Sequence, residues 1–284
     1  MEIKKVGVFG AGTMGRGIAQ VALQGGFDVV LYNHKEETLD KALKTIDKNF
    51  SKMIAKEKIT EKQADEFKAK LETSTDLSSL NDCDIVFECA PEDLEIKKDA
   101  FEKLGEVCKP ETVFASNTSS LSITKLAPSS GRKDKFVGMH FFSPVPAMKL
   151  VEIVYTDDTS DDTLETAKLA AKGLKKEFVS VKDAPMFIAN RIMCPMMNEA
   201  ARLAGENICT YEDIDKACEL GYNQPMGPLA LSDAIGIDVM YHVMVSLYEA
   251  TGNETYAPAP MYKELYEKGD LGRKTGKGFY DYSK

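Results

Sequence analysis

Short runs of consecutive apolar residues recur in the N-terminal part of the chain, separated by longer segments with helical periodicity. Such runs are typical of parallel strands covered on both faces, and their alternation with helices indicates a doubly wound α/β domain. The stretch 35–71 is rich in Lys, Glu and Ala and predicts a pair of helices inserted after the second strand. The predicted strands are Val6–Phe9, Val29–Tyr32, Ile85–Glu88, Thr112–Ser116, Phe136–Phe142, Val151–Tyr155 and Glu177–Val181.

The pattern changes after residue 183. From Met186 onward the chain shows helical periodicity and no strand pattern, so we predict an α/β domain over 1–183 and an all-helical domain over 184–284. The first helix of the second domain carries an apolar stripe at spacings of three and four, and Pro195 is expected to kink it. This stripe consists of Ile188, Ile192, Met196, Ala200 and Leu203.

Two further features of the helical domain concern helix ends and assembly. Thr210 and Asp213 resemble a capping box, and Gly221 is expected to end the helix that follows. A later helix is apolar over a wider arc than one core contact needs, so we expect a homodimer, or a multiple of one, formed through residues 186–284. The wide arc consists of Val239, Met240, Val243, Met244, Leu247 and Tyr248.

The composition is that of a globular chain. Of its 284 residues, 43% are hydrophobic and 29% are charged, which excludes wholesale disorder. The formal net charge of −9 gives no overall attraction for nucleic acid or an anionic membrane. No apolar run approaches the ~20 residues of a membrane span, and the N-terminus leaves no room for a signal peptide before the first glycines. We therefore expect a cytoplasmic protein that binds neither nucleic acid nor membrane.

Cysteine and histidine do not form a pattern typical of a metal centre. The six cysteines form no C-x-x-C pair and several lie in apolar stretches, which favours buried free thiols over disulfides or a zinc site. The three histidines are His34, His140 and His242. We therefore expect no metal site.

A glycine-rich loop follows the first predicted strand. Gly10, Gly12 and Gly15 form a G-x-G-x-x-G pattern with Thr13 and Met14, between that strand and a segment that can be helical. In a Rossmann-type fold the first glycine makes the turn, the second lets the backbone approach a pyrophosphate, and the third packs helix on strand. The alternative is a glycine-rich turn without a ligand, but the strand, loop and helix all lie where a dinucleotide site requires them.

The end of the second strand departs from the dinucleotide fingerprint. An acidic residue is expected about 20 positions after the loop, where it holds the adenosine ribose hydroxyls. Asn33 stands there instead and, unlike a carboxylate, does not repel a 2′-phosphate. His34 and Lys35 follow and can attract one. The cofactor is therefore predicted to be NAD or NADP, with NADPH used to an extent at least comparable with NADH.

Polar residues close two further strands at the carboxyl edge, where open sheets bind ligands. The Ser-Asn-Thr-Ser-Ser segment at 116–120 is, taken alone, better explained as a helix cap. His140 ends another apolar strand and points toward the cofactor cleft, although a histidine between phenylalanines is usually a core residue. Glu152, twelve residues later, interrupts an apolar strand and needs a partner. A turn at 144–146 brings it beside His140, so that the carboxylate fixes the imidazole tautomer and raises its basicity.

Seven segments together resemble the 3-hydroxyacyl-CoA dehydrogenase family, most closely its bacterial 3-hydroxybutyryl-CoA members, and they extend over essentially the whole chain. Each segment by itself would be a weak signal, whereas the set is highly specific. The segments are GAGTMG at 10–15, SNTSSLSIT at 116–124, GMHFF at 138–142, MKLVEIV at 148–154, NRI at 190–192, PMGPL at 225–229 and GRKTGKGFYDY at 272–282.

This resemblance implies reversible oxidation of (S)-3-hydroxybutyryl-CoA, a short-chain 3-hydroxyacyl-CoA, to acetoacetyl-CoA in butyrate and fatty-acid metabolism. It implies that His140 is the general acid and base and Glu152 its partner. It also implies that Ser119 and Asn190 hydrogen-bond the reacting substrate. Further cofactor contacts implied in the same way are Glu92, Lys97 and Asn117. The residues implied to hold the CoA nucleotide are Ser51, Lys52 and Lys56.

The chain departs from the family pattern at two places. Ser143 stands where the family has asparagine after HFF, and Met186 stands where the family has glycine in an APGF segment. Neither change removes a catalytic group, but they affect substrate fit and domain closure respectively.

Two other functions are compatible with the same two-domain plan. One is a β-hydroxyacid dehydrogenase that acts on a free acid or on a sugar acid such as gulonate. The other is a structural or acyl-CoA-binding protein that has lost turnover. The non-enzymatic function is disfavoured because the chain retains Ser119, His140, Glu152 and Asn190. Oxidation of the cofactor with acetoacetyl-CoA but not with free acids would argue against the β-hydroxyacid dehydrogenase.

Overall fold

The computed structural model describes residues 2–283, and the chain divides into two compact units. The first unit ends at Phe187 and the second begins at Ile188. This junction lies four residues beyond the boundary expected at residue 183. The first unit is the doubly wound α/β fold that the alternating pattern predicts, and the second is helical, so the predicted fold class is confirmed.

One sheet of eight strands organises the first unit. The strands are β1 Lys5–Phe9, β2 Asp28–Tyr32, β3 Leu71–Ser74, β4 Ile85–Glu88, β5 Val113–Ser116, β6 Phe136–Phe141, β7 Leu150–Tyr155 and β8 Glu177–Lys182. Their order is β3-β2-β1-β4-β5-β6-β7-β8. The first six are parallel, β7 runs antiparallel to β6, and β8 is parallel to β7. The strand order reverses between β1 and β4, where this fold opens a ligand crevice.

Helices cover both faces of the sheet. They are α1 Thr13–Gln24, α2 Glu36–Ala55, α3 Glu61–Lys68, α4 Leu94–Val107, α5 Ile123–Leu126 and α6 Asp161–Gly173. Successive residues of one strand enter opposite cores: Val29 and Leu31 join one apolar cluster, and Val30 joins the other. This two-sided burial explains why the strands are apolar at consecutive positions.

The predicted helical pair within 35–71 is confirmed by α2 and α3, but the sequence analysis missed the strand that follows them. β3 lies at the sheet edge and pairs only with β2. Its sequence, Leu-Glu-Thr-Ser, has no apolar run because an edge strand is covered less completely than a central one. Pairing with the free edge of β2, rather than hydrophobicity, defines this strand.

The second unit contains five α-helices within the described residues 188–283. They are α7 Ala189–Glu206, α8 Tyr211–Gly221, α9 Pro228–Ile235, α10 Ile237–Thr251 and α11 Pro260–Lys268. Thr210 caps α8, since its Oγ1 accepts from the Asp213 backbone N–H at 3.1 Å, and α8 ends at Gly221 as predicted. α7 continues through Pro195.

The buried face of α7 differs from the predicted stripe. Of the predicted stripe, Ala200 is buried as expected but Ile192 is 68% exposed, and Cys194, Met197, Ala201 and Ala204 are buried as well. The buried set follows the same spacing of three and four but is rotated around the helix. The buried Asn198 explains part of the difference, because its side chain donates to Ala257 O and accepts from Ala259 N, which draws this polar face inward. Burial of a satisfied amide cannot be inferred from hydrophobic periodicity.

Two buried carboxylates account for the family segments at 225–229 and 272–282. Asp215 accepts from the backbone N–H groups of Leu229 and Ala230 at 2.8 and 2.9 Å, at the beginning of α9. Asp233 accepts from the backbone N–H groups of Phe279 and Tyr280 at 2.9 and 3.0 Å. A Cβ atom at Gly227 would collide with Asp215, and one at Gly278 with Asp233. Glycine at both places therefore lets the backbone approach these carboxylates.

The departure at Met186 coincides with an unusual backbone conformation. Met186 and Phe187 have φ values of +62° and +55°, in the left-handed region that favours glycine, and both side chains are buried. The family's glycine adopts such angles without strain, whereas in Met186 the Cβ atom clashes with the neighbouring backbone at a positive φ. Burial of both side chains offsets this local cost.

The expectation of buried thiols is only partly right. All six cysteines are free, but Cys209 is exposed, and Cys89 and Cys218 are partly buried. Burial raises the pKa of Cys83 to about 12, which keeps this thiol protonated and unreactive.

Candidate active site

The glycine loop lies at the carboxyl end of β1 and opens α1. Gly10 has φ +102°, and a Cβ there would lie 2.8 Å from Cys89 O. A Cβ at Gly15 would collide with Gly10 O, whereas one at Gly12 would meet nothing within 4 Å. Gly10 therefore makes the turn, Gly15 allows close packing of helix on strand, and Gly12 leaves open space before the N-terminus of α1. This geometry fits a bound pyrophosphate.

A cleft of about 610 Å³ extends from this loop to the end of β2. The glycine loop contributes one wall, and the segment after β4 together with α4 contributes another. The lining includes Gly10, Gly12, Thr13, Met14, Asn33, His34, Lys35, Ala90, Asp99 and Lys103. The structure thus brings together the predicted cofactor residues from the loop and from the end of β2 around a space suited to an elongated ligand.

Asn33 connects the two parts of this cleft. Its Oδ1 accepts from the Ala11 backbone N–H at 3.3 Å, and its Nδ2 donates to Lys35 O at 3.2 Å. Glu36 and Glu37 begin α2 and do not line the cleft. The positive side chain of Lys35 lines it instead, next to His34. At this end of the cleft an amide and a cation therefore stand where the fingerprint has a carboxylate.

A second cavity of about 360 Å³ shares Met14, Cys89 and Ala90 with the first. Besides Met14, five residues predicted for the site line it: Glu92, Lys97, Asn117, Ser119 and His140. Ser143, the departure from the family pattern, lines it too. Asn117 also links two strand ends, because its Oδ1 accepts from the Phe141 backbone N–H at 2.9 Å.

His140 and Glu152 are paired as predicted. They lie directly opposite each other in the antiparallel register of β6 and β7, and His140 Nδ1 lies 2.7 Å from Glu152 Oε2. Glu152 is fully buried and His140 is 6% exposed. The aromatic ring of Phe142 packs on the imidazole with centroids 4.6 Å apart. The pair therefore has a fixed orientation, and it leaves Nε2 as the imidazole nitrogen available to a ligand.

Glu92 holds the segment that carries Ser119. Its Oε1 accepts from Thr118 Oγ1 at 2.7 Å and from the Ser119 backbone N–H at 2.8 Å. Both the N–H and the hydroxyl of Ser120 donate to the same oxygen, and the Ser119 hydroxyl is 3.1 Å away. Burial by itself would raise the pKa of Glu92, but the hydrogen bond from Thr118 and the charge of Lys97 hold this pKa below its ordinary value. Glu92 is therefore a carboxylate that orders residues 118–120.

The structure also reveals a carboxylate that the sequence analysis overlooked. Glu88, at the end of β4, is fully buried, and its Oε1 lies 2.7 Å from Lys97 Nζ. Ser116 Oγ donates to its Oε2 at 2.7 Å, and the Ala90 N–H donates to Oε1 at 2.6 Å. Burial raises the pKa of Glu88, although Lys97 opposes the shift. The available signal was the charged residue that ends the apolar run Ile85–Glu88, comparable with Glu152, which interrupts such a run.

Lys97 connects the two carboxylates. It is 1% exposed, and its Nζ lies 3.6 Å from Glu92 Oε2 besides bonding Glu88 and Ala90 O. This network holds the segment 89–93, which contributes to both cavities. Lys97 is thus a buried structural cation as well as a residue at the cavity wall.

A third cavity, of about 380 Å³, lies beside α1 and α2. Lys52 and Lys56, for which the resemblance implies contact with the CoA nucleotide, line it together with Lys58, which the sequence analysis did not single out. Ser51 is not part of the lining, and its hydroxyl donates to Asp47 O. Among the described residues 2–283, none of the three lysines forms an ion pair within the chain. Three unpaired cations around one cavity of an acidic protein indicate an anionic ligand.

Asn190 lies in the first turn of α7, in the second unit. It is the one predicted catalytic residue that does not belong to the first unit, and its part in the site stays a prediction.

The described residues 2–283 contain neither a single helix that could span a membrane nor a cluster that could hold a metal ion. No helix within residues 2–283 is by itself long and apolar enough to cross a membrane, although α9 and α10, bent by 99° at Gly236, are so in combination. No group of three or more His, Cys, Asp or Glu side chains in the same part of the chain is arranged to hold a metal ion. The cytoplasmic location stays a prediction.

The fold and the two adjoining cavities define the class of protein. A glycine loop at the β1–α1 turn, a cleft for a dinucleotide and a buried His–Glu pair beside it are the elements of a dehydrogenase that uses a nicotinamide cofactor. Comparison with known proteins agrees. Residues 5–184 match the NAD binding domain of 3-hydroxyacyl-CoA dehydrogenase, and residues 187–282 match the C-terminal domain of the same enzymes. The chain belongs to the 3-hydroxyacyl-CoA dehydrogenase family.

Individual relatives are similar over nearly the whole chain. A 3-hydroxybutyryl-CoA dehydrogenase from Clostridioides difficile is 44% identical over 99% of this chain and 100% of its own length. The human mitochondrial hydroxyacyl-coenzyme A dehydrogenase is 42% identical over 99% of this chain and 91% of its own length. The crystal structure of (S)-3-hydroxybutyryl-CoA dehydrogenase PaaH1 from Ralstonia eutropha has a TM-score of 0.98 and 43% identity, with both chains covered completely.

Proposed function

We propose that this dehydrogenase catalyses the reversible oxidation of (S)-3-hydroxybutyryl-CoA to acetoacetyl-CoA. The observation that carries the proposal is the buried His140–Glu152 pair, which lines a cavity directly adjoining the dinucleotide cleft. The names of the relatives point to the same substrate class. Butyrate and fatty-acid metabolism are the processes in which such a reaction takes place.

The proton chemistry belongs to His140. Its Nδ1–H donates to Glu152, so Nε2 exchanges the proton with the C3 oxygen of the substrate: it takes the proton from the hydroxyl during oxidation and returns it during reduction. The carboxylate of Glu152 stabilises the imidazolium in the meantime. Because Glu152 is fully buried, this stabilising interaction is weakly screened by solvent.

Ser119 and Asn190 orient the substrate. The Ser119 hydroxyl lies in the same cavity as His140 and donates to Glu92. Glu92 keeps its bonds from Thr118 and from two backbone N–H groups if that hydroxyl turns to donate to a substrate oxygen. The reorientation therefore leaves the carboxylate well satisfied.

The dinucleotide is held by the glycine loop and the end of β2. When bound, the nicotinamide accepts or supplies the hydride at its C4. Gly12 and the N-terminus of α1 receive the pyrophosphate, and Asn33, His34 and Lys35 face the adenosine ribose. Glu92, Lys97 and Asn117 border the neighbouring cavity, where they position the nicotinamide half.

The third cavity takes the CoA moiety. Lys52, Lys56 and Lys58 present three ammonium groups to its phosphates, and Ser51 lies on the adjoining turn of α2. A steady-state assay with acetoacetyl-CoA tests the whole proposal against the alternative functions. We expect NAD(P)H oxidation with acetoacetyl-CoA and none with free 3-oxo or sugar acids. Turnover of the free acids alone would favour a β-hydroxyacid dehydrogenase. Tight binding of acyl-CoA without turnover would favour the non-enzymatic protein.

The cofactor choice gives a prediction at Asn33. We expect kcat/KM for NADPH at least comparable with that for NADH, because Lys35 and His34 face the ribose and a charge-assisted contact to phosphate contributes roughly 1.5–3 kcal/mol. Asn33→Asp should restore a preference for NADH by repelling the 2′-phosphate. The measurement is kcat/KM for both cofactors with acetoacetyl-CoA, in the wild type and the variant.

The exposed Glu37→Gln serves as the matched control, because Glu37 does not line the cleft. A wild type that prefers NADH by more than about a hundredfold would contradict the role given to Asn33, since that preference corresponds to more than roughly 2.7 kcal/mol in the opposite direction.

Assembly through the helical unit gives a second prediction. Several large apolar side chains of this unit are exposed, among them Leu220 at 75% and Tyr222 at 76%. We expect a homodimer, or a multiple of one, formed through residues 186–284, because an interface of this kind removes such apolar surface from water. Light scattering at micromolar concentration should give a mass at least twice the 31.3 kDa of the chain. A monomer at that concentration would refute the proposal.

A further inference from the structure

A pair of side-chain amides lies in the wall of the cavity that Lys52, Lys56 and Lys58 line. Gln20 on α1 and Asn49 on α2 both line it, and Asn49 Nδ2 donates to Gln20 Oε1 at 2.8 Å. Gln20 is only 2% exposed. A buried amide normally hydrogen-bonds through both its oxygen and its nitrogen, because an unpaired polar group in the interior costs free energy.

Two polar atoms of this pair have no protein partner in the part of the chain that the structure describes. Among the described residues 2–283, no hydrogen bond reaches Gln20 Nε2 or Asn49 Oδ1. Neither atom is sealed inside the protein, since Arg202 Nε is the sole unpartnered side-chain nitrogen or oxygen buried in that part of the chain. The pair therefore offers one hydrogen-bond donor and one acceptor to the occupant of the cavity.

The rest of the cavity specifies what this occupant carries. Positions 49, 52 and 53 follow the spacing of three and four that places residues on one face of α2, and Lys56 lies just past the end of this helix. Asn49 therefore begins a row that Lys52 and Lys56 continue toward the C-terminus of α2. The segment between β6 and β7 adds apolar surface from Pro144, Pro146 and Ala147. A ligand that complements this surface has an anionic end, apolar methylene groups and a group with one hydrogen-bond acceptor and one donor, such as a secondary amide.

We propose that Gln20 and Asn49 bind an amide of the pantetheine arm and make the enzyme selective for thioesters that carry this arm. The inference rests on the proposed function. It assigns the neutral pantetheine arm of the substrate to Gln20 and Asn49, whereas the proposed function assigns the phosphates to the three lysines. Gln20 Nε2 donates to the carbonyl oxygen of the ligand amide, and the ligand N–H donates to Asn49 Oδ1. The buried amide pair thereby becomes fully satisfied when the acyl-CoA is bound.

Shortened substrates test this assignment in the full-length enzyme. Acetoacetyl-CoA carries phosphates and amides, acetoacetyl-pantetheine carries the amides alone, and S-ethyl thioacetoacetate carries neither. Gln20→Met removes the amide at similar side-chain volume. We expect it to raise KM for the first two substrates about 3- to 10-fold, the effect of one lost hydrogen bond, with kcat changed by less than about twofold. kcat/KM for S-ethyl thioacetoacetate should not change.

Asn49→Leu provides a second variant at a less buried position and should show the same pattern, so the test does not depend on the fold tolerating one substitution. Lys48→Met, next to Asn49 but outside the cavity, is the control and should leave all three substrates unaffected. Equal losses with S-ethyl thioacetoacetate, or unchanged KM for acetoacetyl-pantetheine in both variants, would overturn the inference. A wild type inactive on all three thioesters would instead overturn the proposed function, and this inference with it.

Discussion

His140→Gln is expected to lower kcat with acetoacetyl-CoA by about 10²-fold or more while the dinucleotide still binds. A positioned acid–base group contributes typically ~10²–10⁴-fold, and glutamine cannot take up and release a proton. The side chain of His140 reaches the cavity from β6 and is not part of the cleft of about 610 Å³. Steady-state kinetics, together with NADH titration by fluorescence, separates the loss of turnover from any loss of cofactor binding.

Two variants calibrate this result. Glu152→Gln should lower kcat less than His140→Gln does. The amide oxygen of the glutamine can still accept from Nδ1–H, although the charge that stabilises the imidazolium is gone. His242→Gln alters an exposed histidine of the helical unit and should leave kcat unchanged. Turnover near that of the wild type in His140→Gln would show that another group transfers the proton.

Lys97→Met is expected to destabilise the first unit by about 3–5 kcal/mol, the cost of leaving one member of a buried ion pair without its partner. Glu88 then retains donors from Ser116 and Ala90 but no cation. Because the network holds the segment 89–93, the affinity for NADH should fall as well. Urea denaturation followed by circular dichroism, with NADH titration, measures both effects.

The double variant Glu88→Gln/Lys97→Met removes both charges and should recover much of the lost stability. Lys98→Met, at a partly exposed lysine of the same helix, is the matched control and should change the free energy of unfolding by less than about 1 kcal/mol. An equal loss of stability in the single and the double variant would show that the unpaired charge of Glu88 does not cause the destabilisation.

The pH dependence of Lys97→Met follows from the same carboxyl. Burial raises the pKa of Glu88 in the folded protein, and loss of Lys97 should raise it further. A carboxyl with a raised folded-state pKa binds its proton more tightly when folded, so its unfavourable effect is absent below the unfolded pKa of ~4.3 and grows as the pH rises toward the folded value. The deficit relative to wild type should therefore be larger at pH 8 than at pH 5.

The elements that local pattern determines could be read from the sequence. Apolar runs identified seven of the eight strands, and the central ones are apolar at consecutive positions because both faces of the sheet are covered there. The spacing of Gly10, Gly12 and Gly15 identified the dinucleotide turn, because the turn, the open space for a ligand and the close packing of helix on strand each depend on the local backbone. The His140–Glu152 pair was also predictable, because the proline-containing turn at 144–146 folds β7 back beside β6 and a carboxylate in an apolar strand needs a partner.

Other features depend on contacts between distant parts of the chain, and only the tertiary structure decides these. β3 is a strand because it meets the edge of β2, and the buried face of α7 follows Asn198 and its bonds to residues 257 and 259. Glu88 acquires its partners from β5 and α4, and Gln20 faces Asn49 because α1 packs on α2. The position of a residue in a helix or strand determines which face of that element its side chain lies on. Which residue it then contacts depends on how the helices and strands pack together, and this packing is determined by burial of the whole hydrophobic core.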